Sequence, residues 1–552
     1  MFEDRDIRVV VAIDFGTTYS GFSYAHISSP KKIITNVGWE GYNGKFKIPT
    51  VLKYDENLNV QSWGYIALAQ RPNNKVEAVK SKPAELFKLH LGKLAKRPPL
   101  PEGLDYKKVI TDYLCKLGEK IHEILKVDWL YLDIFNQIPA EFDARDIAVM
   151  RECAINANLI DELNSRNLIF TTEPEAAAIQ CIETLKEQEL GVGSTYMIVD
   201  CGGGTVDLTV RKFLTSKNLS ESTERSGDFC GSTFVDREFL EFLSQRIGKS
   251  ALKYLTENNY SYLQNLIQGI TNYDMFSLPC VNMIKLPFTG DPSTFESVEL
   301  DLEKFFPNIK TIVTGREKEY MEKERWLIEP KFEEVKEMFD PVIAKIILLI
   351  YDQLNACRDC SAMFLVGGFS ESEYLQMRIK EEFKQKVKII SVPTQPITAI
   401  LKGAVKYGLR EDIISERVLK WTYGTSVVRQ WESTDPEDHI LSGGLIQTFQ
   451  ALATKGSHIS MNEKVVRNFT PASLNQKQMK FDIYVTSKDN VKYCNEDDVE
   501  LLGNFLIDLP KNGDFDDKTF LFTLEFGKIE ILATAENKST GQKFKTTFLL
   551  DI

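Results

Sequence analysis

The first apolar run, "IRVVVAI" (7–13), has the length and β-branched content of a buried strand. The segment after it, "YSGFSYAHI" (19–27), mixes aromatic and small residues without a helical period, so a second strand is expected. Between them lies "DFGTT" (14–18), a turn with one Asp, one Gly and two Thr. The pattern returns as "MIVDCGGGTVDLTV" (197–210): apolar strand, Asp, glycines, Thr, strand. "VDREFLEFLSQRIGKS" (235–250) has a helix-like pattern. "IAKIILLI" (343–350), the most apolar stretch, predicts a buried helix and is far too short to cross a bilayer. From 421 to 552 polar and apolar residues alternate between turn signals such as "KNGD" (511–514) and "STGQ" (539–542), which predicts an all-β domain.

At 552 residues the chain is too long for one core, and several compact units are expected. A net charge of −12 argues against a general nucleic-acid binder, but not against a local anion site built from backbone N–H groups. The start, "MFEDRDIRVV", is charged and does not read as a signal peptide. Nine scattered Cys suit a reducing compartment, and a cytoplasmic, membrane-free protein is expected. Cys357 and Cys360 form a C-x-x-C; with five His in the chain they read as ordinary thiols rather than a zinc site.

A strand–turn–strand rich in Gly and Thr is suited to phosphate. Gly lets a ligand approach the main chain, and turn N–H groups with Thr hydroxyls cradle its oxygens. An Asp at the strand end holds Mg²⁺ through its waters. One such turn, Asp14–Thr18, would be an ordinary hairpin; a second, Asp200–Thr205, favours a grip on one polyphosphate from two sides. "IGKS" (247–250) ends like a P-loop, but Leu243 stands where a P-loop needs Gly.

The double turn resembles the actin, hexokinase and heat-shock protein 70 superfamily. Further segments narrow it to the heat-shock 70 family. They are "FNQIPAEFDARDIAVMRECAINANL" (135–159), "FTTEPEAAAI" (170–179), "FLVGGFSESEYLQMRI" (364–379) and "PITAILKGAVKYGL" (396–409). Ser370 and Glu373 have capping-box spacing. "FQALATKGSHISMNEKVVRNFT" (449–470), "LLGNFLIDLP" (501–510) and "GKIEILATAENKSTGQKFKTTF" (527–548) are similar to the family's β-sandwich. "TTYSGFSYA" and "LFKLHL" resemble a divergent branch, the type-12 heat-shock 70 proteins.

The resemblance implies a two-lobed α/β actin-like ATPase with duplicated ribonuclease-H-like lobes, then an all-β sandwich with no helical lid. Its implied boundaries are 1–194 and 386–410 for lobe I, 195–385 for lobe II, 411–420 for a linker and 421–552 for the sandwich. It implies ATP/ADP and Mg²⁺ as cofactors, with Asp14 and Asp200 organising the metal. Gly16, Thr17, Thr18 and Tyr19 match one phosphate loop; Gly202, Gly203, Gly204 and Thr205 match the other. Thr205, Glu173 and Lys88 match catalytic positions around the γ-phosphate, where positioning and charge do most of the work. A snorkelling surface lysine is the plainer reading of Lys88. Gly231 matches a ribose neighbour, and Gly367, Gly368 and Ser370 match adenosine contacts.

The chain departs from the family at the base. No Lys or Arg occurs across 254–284, "GGFSES" lacks the usual Arg, and Ile397 stands for the usual Asp. The linker, "EDIISERVLKW" (411–421), is broken by charge. Two functions follow. One is an ATP-hydrolysing chaperone for extended polypeptides, with a J-domain co-chaperone and an exchange factor. The other is a nucleotide switch whose β-domain binds one specific protein partner. A sugar or acetate kinase and an actin-like polymer are disfavoured by the C-terminal β-domain. Apolar residues of "GGLIQTF" (443–449) and "MKFDIYV" (479–485) are expected either to wall a peptide groove or, at every second position, to fill the sandwich core.

Overall fold

The computed structural model describes residues 7–69, 83–91, 97–128, 133–139, 144–162, 165, 167–187, 190–214, 219–223, 225–268, 282–357, 359–409, 414–460, 463–471, 473–488, 490–510, 515, 517–526 and 530–549. The chain divides into two compact units. The first holds Met1–Ala140, Ala148–Thr209 and Ser226–Glu411; the second holds Glu141–Ile147, Val210–Arg225 and Asp412–Ile552.

In the first unit, Ile7–Asp14 pairs antiparallel with Tyr19–His26, bringing Asp14 opposite Gly21. It also pairs parallel with Asp133–Pro139, which pairs parallel with Leu168–Thr171. Thr195–Cys201 holds the matching place in another sheet. It joins the strand beginning at Val206 through the turn 202–205 and pairs parallel with Cys360–Val366, beyond which lies Ile389–Ser391. Both central strands are fully buried, Val9 to Ile13 in one and Tyr196 to Val199 in the other. Burial on both faces is why they read as unbroken apolar runs rather than alternating ones.

Helix Glu173–Glu187 packs on helix Ala399–Leu409. A Cβ on Gly403 would lie 1.7 Å from the Ala176 carbonyl oxygen, so the two backbones touch. The small residues Ala176, Ala177 and Ala178 are what such an approach requires. "IAKIILLI" lies within helix Phe332–Ala356; Ile343, Ile346 and Ile350 are buried, while Leu348 is exposed. Its buried face keeps the helical period that the apolar run concealed.

The all-β expectation for 421–552 holds across the described residues. One sheet orders Ile440–Leu441, Leu445–Ala453, Thr422–Gln430, Gln478–Thr486 and Val499–Asp508. The other orders Glu463–Phe469, Phe520–Phe526, Glu530–Asn537 and Lys543–Leu549. Burial alternates strictly along Phe520–Phe526. Phe522 stacks on Phe481 with ring centroids 4.8 Å apart. "KNGD" lies outside the described residues.

Met479, Phe481 and Ile483 belong to the core between the sheets, so the core reading of "MKFDIYV" prevails over the groove wall. Among the described residues, the large apolar side chains exposed on the sheet that holds Gln478–Thr486 include Val428, Ile440, Leu441, Leu501 and Leu506.

Also in the second unit, Ile414–Val418 forms a strand, parallel to Leu219–Glu221 and antiparallel to His458–Ser460. It falls inside the segment read as a charge-broken linker. Glu221 anchors it: one carboxylate accepts from Arg225 Nε at 2.7 Å, from the Val418 amide at 3.1 Å, and pairs with Arg211 at 3.3 Å. The capping reading of Ser370 is corrected. The N-cap of helix Glu373–Phe383 is Ser372, whose Oγ accepts from the Leu375 amide at 3.3 Å.

Candidate functional site

The first turn is braced from three sides. Phe15, fully buried, sits with ring centroids 6.1 Å from Phe87 and 5.9 Å from Tyr113. This aromatic trio ties the turn to the short 3-10 segment Phe87–His90, which carries Lys88. Thr50 donates its amide to the Thr18 carbonyl at 2.8 Å and its hydroxyl to the Gly16 carbonyl at 2.9 Å. Gly16 is required where it stands, because a Cβ there would meet the Tyr19 carbonyl oxygen at 2.2 Å. Burial first, then Tyr65, Asp236 and Glu85, raise the Tyr19 pKa, so its phenol stays protonated.

The second turn closes with the Gly202 amide on the Thr205 carbonyl at 3.0 Å. Its own carbonyls face helix Thr233–Ile247. The Thr233 amide and hydroxyl both donate to the Gly203 carbonyl at 2.9 Å, and the Ser232 amide donates to Gly202 at 3.1 Å. Gly231 packs flat on this turn; a Cβ there would meet the Gly203 oxygen at 2.4 Å.

The two turns meet tip to tip. A Cβ on Gly203 would lie 2.1 Å from Thr18 Oγ1, and one on Gly204 3.3 Å from Thr17 Cγ2. The paired phosphate loops expected from sequence are therefore adjacent in space, with Gly202 to Thr205 only partly buried.

The charged groups gather beside them. Asp14 ends its strand, Asp200 stands one residue before the end of Thr195–Cys201, and they are 1% and 3% exposed. Glu173 opens helix Glu173–Glu187, where Thr172 and Glu175 form a capping box: the Glu175 amide donates to Thr172 Oγ1 at 3.3 Å, and the Thr172 amide donates to Glu175 Oε2 at 3.4 Å. That cap fixes Glu173 at the helix mouth, where Lys88 Nζ reaches its Oε1 at 2.7 Å. Burial alone would lower the Lys88 pKa, but Glu173, Asp14 and Asp207 outweigh it and hold the group above the ordinary lysine value. Lys88 is thus not a snorkelling surface lysine.

Sequence reasoning missed two groups here. Lys47 Nζ lies 2.6 Å from Asp14 Oδ2, with its side chain 11% exposed. Burial pulls its pKa down; Asp14, Glu173 and Asp200 more than reverse this. Asp207, two residues after Thr205, adds its charge to the field at Lys88. A lysine in "GKFKIPT" looks like any loop lysine, whereas Asp207 could have been found as a second acid within the repeated turn motif.

At the turn end of the second hairpin, Gly367 (φ 83°) lies against Asp200; a Cβ there would fall 2.3 Å from its Oδ1. A Cβ on Gly368 would lie 3.7 Å from Ile397 Cδ1, an aliphatic neighbour. Ser370 is fully buried and donates its hydroxyl to the Val366 carbonyl at 2.6 Å. Of the 254–284 segment, 269–281 lie outside the described residues. The first base after the segment, Lys285, turns inward to Asp236 at 2.7 Å.

The resemblance implies Mg²⁺ at Asp14 and Asp200. Carboxylate oxygens are the right donor type. Yet one oxygen of the Asp14 carboxylate already pairs with an ammonium at 2.6 Å, which offsets the negative charge a divalent ion would need there. Among the described residues no three His, Cys, Asp or Glu side chains gather into a metal cluster. With Lys47 in place this half of the site does not fit a resident divalent ion. Cys357 and Cys360 are free thiols, and no described helix is long and apolar enough to cross a membrane.

The chain is homologous to the heat shock 70 kDa proteins. It is 26% identical to heat shock 70 kDa protein 12A of Mus musculus, over 98% of this chain and 91% of that protein. It is 23% identical to heat shock 70 kDa protein 12B of Homo sapiens, over 99% and 91%. Chaperone protein DnaK of Deinococcus deserti matches at 25% identity over 76% of this chain and 63% of its own. No protein-family model matches the chain. The homology implies a two-lobed actin-like ATPase fold and supports a nucleotide-binding protein of heat-shock-70 type.

Proposed function

We propose that the chain binds ATP and ADP between the two Gly-Thr turns, hydrolyses ATP, and acts on polypeptides as a heat-shock-70-type chaperone. The observation that carries this reading is the contact of Gly203 and Gly204 with Thr18 and Thr17. Two turns with partly exposed glycines, meeting at their tips, present backbone N–H groups and hydroxyls to one polyphosphate. Lys88 supplies charge to the terminal phosphate, Glu173 positions the attacking water, and Thr205 faces the γ-phosphate. Gly231, Gly367 and Gly368 leave room for the nucleoside, with Ile397 as an apolar base contact. In this reading duplicated lobes form the ATPase and the β-sandwich grips an extended client, with Val428, Ile440 and Leu441 as exposed apolar contacts. A J-domain protein and an exchange factor would complete the cycle in the cytoplasm, where free cysteines persist.

A second reading is favoured by one observation. Glu173 is ion-paired with Lys88 at 2.7 Å, and a carboxylate held by a lysine is a poor water-orienting base. On that account the chain is a slow nucleotide switch with one specific protein partner. Single-turnover hydrolysis, with and without an extended apolar peptide, separates the two. Peptide-stimulated turnover supports the chaperone; tight binding with no turnover supports the switch.

A further inference from the structure

Lys47 has no place in the site as the sequence described it, yet its ammonium is among the closest charged neighbours of the candidate metal-organising Asp14. Two lysines, not one, therefore stand in the acidic pocket: Lys47 on Asp14 at 2.6 Å and Lys88 on Glu173 at 2.7 Å. All four side chains are at most 14% exposed, so neither pair is a loose surface bridge.

Lys47 stands just before Ile48–Pro49, which pairs with Tyr19 and Ser20 at the start of the second strand. The strand pairing sets its position, and the Thr50 bonds to the first turn lock it there. Its stem crosses Gly21, whose Cβ would lie 3.1 Å from Lys47 Cγ, so Gly21 is the gap through which the side chain reaches Asp14.

We propose that Lys47 is a built-in cation for the bound nucleotide, paired with the carboxylate that the resemblance assigns to the metal, so that nucleotide binding in this chain does not depend on a metal. The inference rests on the nucleotide reading above. Before nucleotide enters, Asp14 neutralises the ammonium and keeps it aimed at the turn. When phosphate oxygens arrive, Lys47 shares its donors between them and Asp14, since an ammonium offers three. An ion arriving with the nucleotide would have to displace a buried, carboxylate-paired ammonium, which opposes its binding.

The test is binding of a fluorescent ATP analogue to the full chain, in excess EDTA and in excess Mg²⁺, for wild type, Lys47→Met and Lys47→Arg. Wild type should bind with nearly the same affinity in both conditions. Lys47→Met should weaken binding in EDTA by about 10- to 100-fold, the size of one lost charged hydrogen bond. Mg²⁺ should restore it, because Asp14 is then free. Lys47→Arg keeps the charge and should stay metal-independent, which separates loss of the cation from loss of fold. The inference is overturned if wild type needs Mg²⁺ to bind, or if Lys47→Met binds like wild type in EDTA. Wild type that binds nucleotide in neither condition overturns the nucleotide reading itself, and the inference with it.

Discussion

Replacing Glu221 with Gln removes one charge and almost no volume. The Val418 amide keeps an acceptor, so the strand Ile414–Val418 loses no backbone partner. What is lost is one counter-charge of Arg211, which is fully buried, and of Arg225, which is 11% exposed. Breaking a buried pair by removing one partner costs about 3–5 kcal/mol, because the remaining charge has no water to return to. For a unit of roughly 150–250 residues, about 2–4 °C is lost per kcal/mol. The melting transition of the second unit should therefore fall by about 6–20 °C. Calorimetry on the full chain measures the fall. Hydrogen exchange over 414–418 and 458–460 gives the local reading and should quicken. The double variant Arg211→Met, Glu221→Gln removes the fully buried Arg211 charge while keeping an acceptor for the Val418 amide, and should recover part of the loss. A Gln variant that melts with wild type and exchanges no faster would refute the anchoring role of Glu221.

Gly203→Val should abolish the ATP-induced rise in melting temperature, since its Cβ would lie 2.1 Å from Thr18 Oγ1 and the turns could no longer meet. An undiminished rise would mean the turn contact is not where nucleotide sits. Tyr260 donates its hydroxyl to Glu85, joining helix Tyr260–Gln268 to strand Ala84–Glu85. Tyr260→Phe removes that bond and should lower the melting temperature of the first unit by a few degrees; an unchanged transition would show the contact does not hold the helix to the strand. ATP and GTP should compete within about tenfold of each other, because among the described residues the neighbour that Gly368 faces is the aliphatic Ile397, which cannot read the base by hydrogen bonding. Strong ATP preference would require a base contact not identified among the described residues.

Much of the frame was legible because it is local. Each hairpin announced itself by an apolar run, an Asp, glycines and a Thr within a dozen residues, and the sandwich by its alternation. Lys47 was not legible. It meets Asp14 only because Ile48–Pro49 pairs with Tyr19 and Ser20, and no local pattern reports that. The strand Ile414–Val418 was hidden for the same reason: its partner, Leu219–Glu221, lies far upstream, and its charged residues looked like a broken linker. Ser370 and Ser372 both precede a helix, and spacing alone chose the wrong one. The first takes the Val366 carbonyl in the strand behind it, leaving the second to cap. Lys88 and Glu173 were named separately by resemblance; their direct pairing, which bears on turnover, follows from the aromatic packing of Phe15, Phe87 and Tyr113.

The central claim is that the two turns hold one nucleotide. Isothermal titration of ATP into the full chain, repeated with Gly231→Val, tests it most directly. Gly231 touches the second turn only through the backbone, where its Cβ would meet the Gly203 oxygen at 2.4 Å, so the variant displaces the turn without altering a charge. The account predicts a single saturable site in wild type that is lost in the variant while circular dichroism stays native. Saturable binding of equal strength in both proteins would contradict it, and so would a wild-type chain that takes up no ATP at all.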